Sequence, residues 1–186
     1  MSRGHLIVIS APSGAGKTTI CHQLRAKHPG WIFSISATTR PRRFNEVNGV
    51  DYHFLTETDF TEYVNDEKLV EWETIYDHRY GTLQSTLISA LEEGYALLLD
   101  VDVKGGVNVK RQYPEDTTAI FIVPPDIETL AKRLKNRGTE DQNAIEIRLK
   151  RIPEEMEYKN EFDHIVINDN LEQAVSQIET IIMEAK

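Results

Sequence analysis

Apolar residues in this chain fall into short dense runs, separated by segments in which they recur three and four positions apart. Leu6-Ile7-Val8-Ile9 and Ala96-Leu97-Leu98-Leu99 are almost purely aliphatic, the pattern of strands buried on both faces of a parallel sheet. Ala119 to Val123 and His164 to Asn168 read as two more such strands. The spacing predicts helices from Lys17 to Arg25, Leu83 to Glu93, Lys104 to Gln112, Asp126 to about Lys135, a stretch running on toward Lys159, and Leu171 to Ala185. His28-Pro29-Gly30 and Gly94 are stop signals, and Thr56, Asp126 and Thr139 are candidate N-caps. Buried strands alternating with helices predict a doubly wound parallel sheet with helices on both faces.

The rhythm breaks between Ser36 and about Gly81. Trp31 to Ser36 reads as a strand, Arg40 to Tyr52 as loop, Tyr52-His53-Phe54 as a short strand, Glu57 to Val64 as a short helix and Val70 to Tyr76 as a strand. This stretch reads as an inserted lobe expected to carry a second substrate.

Composition narrows the options. With 186 residues, 40% hydrophobic and 27% charged, the chain fits one globular domain with a sizeable core. No apolar run approaches the ~20 residues that span a bilayer, so no membrane association is expected. Met1 to His5 runs straight into the first strand, leaving no room for a secretion signal. The single cysteine, Cys21, allows no intrachain disulfide and fits a reducing cytoplasm. Its place on the core side of a helix gives it a packing role. A net charge of −9 argues against a nucleic-acid or anionic-membrane surface. Anionic ligands must then be met by local clusters of cations.

The first such place is the turn after the first strand, Ala11-Pro12-Ser13-Gly14-Ala15-Gly16-Lys17-Thr18. Strand, glycine-rich loop and helix ending in Gly-Lys-Thr form a phosphate cradle: glycines let successive backbone N–H groups turn inward, and the helix N-terminus adds partial positive charge. Lys17 is placed to reach the β- and γ-phosphates of a nucleotide such as ATP, and the Thr18 hydroxyl to hold Mg²⁺. Ala11 stands where the pattern has its first Gly, which costs little if that position needs no positive φ. Asp100 and Asp102 follow an apolar strand, the usual position of the acid that completes a phosphate-loop magnesium site. Arg40, Arg42 and Arg43, with Tyr52 and Tyr80, are a candidate anion clamp. Arg133, Arg137 and Arg148 read equally as arginines that close over a transferring phosphoryl group or as ion-pairing helix faces.

Taken together, Ser34-Ile35-Ser36, Thr38-Thr39-Arg40, Arg43, Glu46, Gly49, Asp51-Tyr52, Val70-Glu71-Trp72, Arg79-Tyr80-Gly81-Thr82, Leu99-Asp100-Val101-Asp102, Gly105, Arg137-Gly138-Thr139-Glu140 and Val166-Ile167-Asn168-Asp169 closely resemble the guanylate kinase family. The match runs in order over residues 4–184. The resemblance implies the P-loop nucleoside-monophosphate-kinase fold: a parallel sheet flanked by helices, an inserted GMP-binding lobe and a helical lid. It implies a core of residues 1–35, 82–136 and 160–186, a lobe over about 36–81, and a lid over about 137–159. The implied reaction is Mg²⁺-dependent transfer of the ATP γ-phosphate to GMP, and to dGMP, by a monomer or small homo-oligomer. Residues 11–18 then hold ATP. Lys17, Arg137 and Arg148 stabilise the transferring group, Arg133 joins them or contacts adenine, and Asn168 lies on the adenine side. Ser36, Arg40, Arg43, Tyr52 and Tyr80 hold the GMP phosphate, Glu71 and Thr82 face the guanine, and Asp102 its amino group. Thr18 and Asp100 serve the metal.

Glu73 lies on the same strand face as Glu71, so spacing leaves the two open as base readers; the family register selects Glu71. Phe44-Asn45 replaces a small residue and Gly before Glu46, which predicts a less compact arginine loop, and Lys104 replaces a common Gln. Two other readings keep part of the pattern: a binding module of this fold without catalysis, and a P-loop kinase for another phosphorylated acceptor. The intact Lys17 and Thr18 argue against the first, and Glu71 with Thr82 against the second.

Overall fold

The computed structural model describes residues 3–75, 77–126, 128–130 and 142–185, with no side-chain account for 142–145 and 147. A five-stranded sheet carries the core in the order β2-β7-β1-β8-β9, all of its pairings parallel. Its strands are β1 (His5–Ser10), β2 (Ile32–Phe33), β7 (Ala96–Asp100), β8 (Thr117–Val123) and β9 (His164–Ile167). The packing explains why the central strands are so uniformly apolar. Alternate residues of β1 feed opposite faces: Leu6 and Val8 pack with Leu97, Leu99, Ala119 and Phe121 on one side. Ile7 and Ile9 pack with Leu98, Ile120 and Ile122 on the other. The first layer is covered by α3 (Gln84–Glu93) and α4 (Val103–Gln112), the second by α1 (Lys17–Lys27) and α6 (Leu171–Glu184). A strand lined on both faces leaves little room for polar residues, and the buried exceptions, Ser10, Thr117 and Thr118, lie at the ends of β1 and β8.

A second, four-stranded sheet runs β4-β3-β6-β5, built from β3 (Ala37–Thr38), β4 (His53–Phe54), β5 (Leu69–Ile75) and β6 (His78–Leu83). β5 and β6 are an antiparallel hairpin with Glu71 opposite Thr82 and Glu73 opposite Tyr80. Beside it lies α2 (Glu57–Asn65), capped as its sequence predicts: the Thr56 hydroxyl accepts from Asp59 N at 3.1 Å, completing a capping box. Gly94 closes α3 at φ 80° and Asp126 accepts from Thr129 N at 2.6 Å. The candidate cap Thr139 lies outside the described residues.

Three expectations change. Trp31 to Ser36 is not one strand: Ile32–Phe33 pairs with β7, whereas Ala37–Thr38 pairs with β4 and β6. Ser34 N still donates to Leu98 O at 2.9 Å, so the chain crosses between sheets at residues 35–36. Second, His78–Leu83 is a strand, although its sequence HRYGTL has no apolar alternation; its partners β3 and β5 supply the register instead. Third, β9 is not a buried strand. Val166 is buried, but Ile165 and Ile167 are exposed, because the strand forms the sheet edge. The helix expected to run toward Lys159 is described as α5 (Gln142–Glu157), followed by a 3₁₀ turn over Tyr158–Glu161.

Phe121 is fully buried at the centre of β8, its ring 5.0 Å from that of Phe162. Phe121→Ala should cost about 3–5 kcal/mol of stability through the cavity it leaves. A urea titration should show a lowered midpoint with unchanged slope; an unshifted midpoint refutes this account of the core.

Candidate active site

The register of the parallel sheet sets the site. Ile9 lies opposite Asp100, so the loop leaving β1 opens beside the carboxylate that ends β7. Gly14 and Gly16 take φ of 91° and 96°, which side chains other than glycine's strain to adopt. Ala11 has no positive φ, and its replacement of the first Gly is therefore free of backbone strain. Gly16 is the N-cap of α1 and offers no side-chain cap, and no acid occupies the first turn. The first N–H groups of α1 are thereby left to an anion. Asn168, after β9, donates from Nδ2 to Ala15 O at 2.8 Å; a Cβ on Gly16 would sit 2.4 Å from that nitrogen. Asn168 thus supports the loop from beneath.

Lys17 Nζ pairs with the Asp100 carboxylate and donates to Val101 O at 3.0 Å. Burial is the largest single influence and lowers the pKa of this ammonium, but the Asp100 charge and hydrogen bond together with smaller contributions from Cys21 and Asp102 outweigh it, and the net direction is upward. Lys17 is therefore a cation held ready by one carboxylate. Cys21, a turn further along α1, is buried and its thiol pushed far up by that burial. Packing is its role.

A cleft of about 310 Å³ extends from the loop across to the second sheet, lined among others by Lys17, Thr18, Ser36, Tyr52, Glu71, Tyr80, Asp100, Asp102 and Arg148. On its far wall Tyr52 and Tyr80 stand edge to face, 6.1 Å between centroids. Burial raises the Tyr52 phenol, which keeps it a neutral donor. Arg40 stands one layer behind. Its guanidinium grips Glu46 through two hydrogen bonds of 3.1 and 2.7 Å and lies 5.3 Å from the centre of the Tyr52 ring. Arg43 is exposed and donates only its backbone N–H to Glu46 Oε2, at 2.8 Å. Of the expected anion clamp, Tyr52 and Tyr80 line the cleft, as does Ser36, whereas Arg40, Arg42 and Arg43 do not; Arg42 is exposed and donates from Nη1 to Glu46 O at 3.0 Å. Phe44 projects fully into solvent, while the backbone around it is held by Glu46 and by Asp51, which accepts from Val47 N at 2.7 Å.

The most unusual group is Glu71, 9% exposed on β5. Its Oε1 accepts from the Thr82 hydroxyl at 2.5 Å. Its Oε2 lies so close to α4 that a Cβ on Gly105 would approach it to 2.6 Å. Thr82 is fully buried, behind the carboxylate rather than on the cleft wall. Asp102 caps α4 by accepting from Gly105 N at 2.7 Å, and it also lines the cleft. Burial pushes the Glu71 carboxyl up to about 7; the Thr82 hydrogen bond opposes this, and the charges of Asp102 and Glu73 reinforce it.

Helix α5 reaches the phosphate loop from the opposite side. Arg148 Nη1 donates to Ser13 Oγ at 3.3 Å, and Glu155 Oε2 accepts from Ser13 N at 3.0 Å. Arg133 and Arg137 lie outside the described residues. Sequence reasoning assigned no role to Glu155 or to Lys104, which contacts Glu73 and Glu154. The departure at Lys104 was the one signal that could have flagged it. Among the described residues no group of three or more His, Cys, Asp or Glu side chains could by itself hold a metal, and no helix is long and apolar enough to cross a membrane.

Comparisons with known proteins agree with this geometry. A family model described as guanylate kinase matches residues 3–185. The chain is 44% identical over 181 residues to a guanylate kinase of Salinibacter ruber, covering 97% of this chain and 96% of the relative. It is 44% identical over 184 residues to that of Caldanaerobacter subterraneus, covering 99% and 89%. A crystal structure of guanylate kinase from Anaplasma phagocytophilum superposes with a TM-score of 0.81 at 25% identity, over 99% of this chain and 87% of the other.

The raised Glu71 carboxyl has a pH signature in the ligand-free protein. Between the unfolded value of 4.5 and the folded value of about 7, the folded state binds more protons than the unfolded state. Glu71's contribution to stability therefore falls as pH rises across that window, by at most about 1.4 kcal/mol per pH unit. Glu71→Gln should gain stability relative to the parent between pH 5 and 8, measured by urea unfolding. A constant difference across that range would refute the buried, proton-retaining carboxyl.

Proposed function

The chain belongs to the guanylate kinase family and is a phosphotransferase that converts GMP to GDP with ATP as donor, and from that premise we propose how its own residues divide the work. Residues 11–18 hold the ATP phosphates, with Asn168 supporting the loop, and Lys17 exchanges the Asp100 carboxylate for phosphate oxygens. Arg148, Arg137 and Arg133 attend the transferring group and the donor, a role supported for Arg148 by its reach to Ser13. Ser36, Tyr52 and Tyr80 receive the GMP phosphate, and Arg40, leaving Glu46, and Arg43, swinging in from solvent, join them when the loop folds over the acceptor. Residues 36–81 act as the GMP-binding lobe and 137–159 as the lid, closing on the core of 1–35, 82–136 and 160–186 to keep water from the reacting phosphoryl group.

The observation that carries the base assignment is the buried Glu71–Thr82 pair. Guanine offers two adjacent donors, N1–H and the 2-amino group, and an ionised carboxylate accepts both. Adenine has an acceptor at N1 and would face the carboxylate unpaired. Thr82 fixes the carboxylate's orientation, and Asp102 reaches the 2-amino group. The proposal extends to dGMP as an acceptor beside GMP.

Mg²⁺ fits the donor set. Thr18 and Asp100 offer a hydroxyl and a carboxylate that both line the cleft. Protein ligands this few suit an ion that keeps waters and takes phosphate oxygens. When bound, the ion would screen the phosphate charge. We further place the enzyme in the cytoplasm, as a monomer or small homo-oligomer, consistent with its single buried cysteine.

Two measurements test these roles. Lys17→Ala should fold normally and lose transfer by at least a thousandfold in an ADP-release assay, since an aimed cation acts on the transition state rather than on packing; near-normal turnover refutes it. Glu71→Gln should lose about 2–4 kcal/mol of apparent transition-state binding for GMP while ATP binding is kept, and Glu73→Gln should keep the preference for GMP over AMP. The reverse order would put Glu73 in the reading position, and indifference to both would remove guanine recognition from β5.

A further inference from the structure

Lys104, in the first turn of α4, stands between two carboxylates from distant parts of the chain. Its Nζ lies 3.7 Å from Glu73 Oε1 on β5 and 3.2 Å from Glu154 Oε1 on α5. Glu73 lines the cleft on the wall that also carries Glu71. Glu154 is followed directly by Glu155, whose carboxylate holds Ser13 N at 3.0 Å in the phosphate loop. The same helix carries Arg148 to the Ser13 hydroxyl. One lysine anchored in the core thus joins the strand facing one substrate to the helix that touches the loop for the other. Its ammonium is held charged chiefly by the Glu154 hydrogen bond, with Glu73 adding to it.

We propose that Lys104 is a positioning residue that couples the two substrates, fastening β5 through Glu73 and α5 through Glu154, so that filling the acceptor side holds Arg148 of α5 beside the phosphate loop. This rests on the assignment of β5 to GMP and of the loop to ATP made above. The three side chains are 38%, 32% and 59% exposed, so the pairs are solvent-screened. Lys104 therefore biases an equilibrium by about three- to tenfold and does not decide whether transfer occurs. Binding of either substrate must show the same coupling, because the linkage is reciprocal.

The test is the dissociation constant for GMP, measured with and without the non-hydrolysable analogue AMP-PNP and Mg²⁺. In the parent protein the analogue should tighten GMP binding. Lys104→Met should lower that enhancement about three- to tenfold while changing GMP affinity without the analogue by less than about twofold. Lys104→Arg should restore it. Glu154→Gln, at a side chain exposed enough to leave folding alone, should reproduce the loss, and the double variant should lose no more than either single one. The proposal is overturned if the parent shows no enhancement, if Lys104→Met keeps it, or if Lys104→Met weakens GMP equally with and without the analogue. Failure of the underlying assignment looks different: Glu71→Gln would then bind GMP as well as the parent does.

Discussion

The parallel pairing of β1 with β7, with Ile9 opposite Asp100, is the constraint on which the site depends. It delivers a glycine-rich turn and an acid to the same end of the sheet, beyond the C-termini of its strands, without any long side chain having to reach. The pairing is rigid because both strands are buried on both faces, and a shift by one residue would turn Leu6 and Val8 into the opposite core layer. Lys17 then meets Asp100 because α1 begins where the loop ends.

The cations that we assign to the substrate phosphates are kept on carboxylates in the ligand-free protein. Lys17 rests on Asp100 and Arg40 on Glu46. In a chain of net charge −9 such partners are plentiful, and they prevent like-charge repulsion within the cleft. A phosphate with two negative charges can displace a carboxylate with one, so binding becomes an exchange rather than the capture of bare cations. The same logic applies to Ser13 N, which Glu155 occupies as an anion would.

Glu71 is the opposite case, a buried carboxyl whose one hydrogen-bond donor among the described residues is the Thr82 hydroxyl and which holds its proton to about pH 7. Its burial raises the cost of ionisation, and that cost is recovered only by a ligand that offers donors along its edge. Under the proposed assignment of Glu71 to the base, selectivity follows from the same fact: a base lacking those donors leaves the carboxylate buried and unpaired.

What the sequence determined by itself was local. The strand, loop and first helix are contiguous over residues 6–25, and the glycines, Gly-Lys-Thr and the flanking apolar runs leave few alternatives. The same holds for the Thr56 and Asp126 caps, for Gly94, and for the acid ending β7, each read from a handful of neighbours. The family resemblance selected Glu71 over Glu73, and in the structure Glu71 is buried while both line the cleft. What the tertiary structure decided involves partners far apart in the chain. β6 is a strand because β3 and β5 flank it, and the Trp31 to Ser36 run divides because two sheets compete for it. Thr82 stands behind Glu71 through cross-strand register. Ser13 meets Glu155, and Lys104 meets both Glu73 and Glu154, across separations that no local pattern encodes. Hydrophobic periodicity says which face of an element is buried; only the assembled sheets say which side chains that burial brings together.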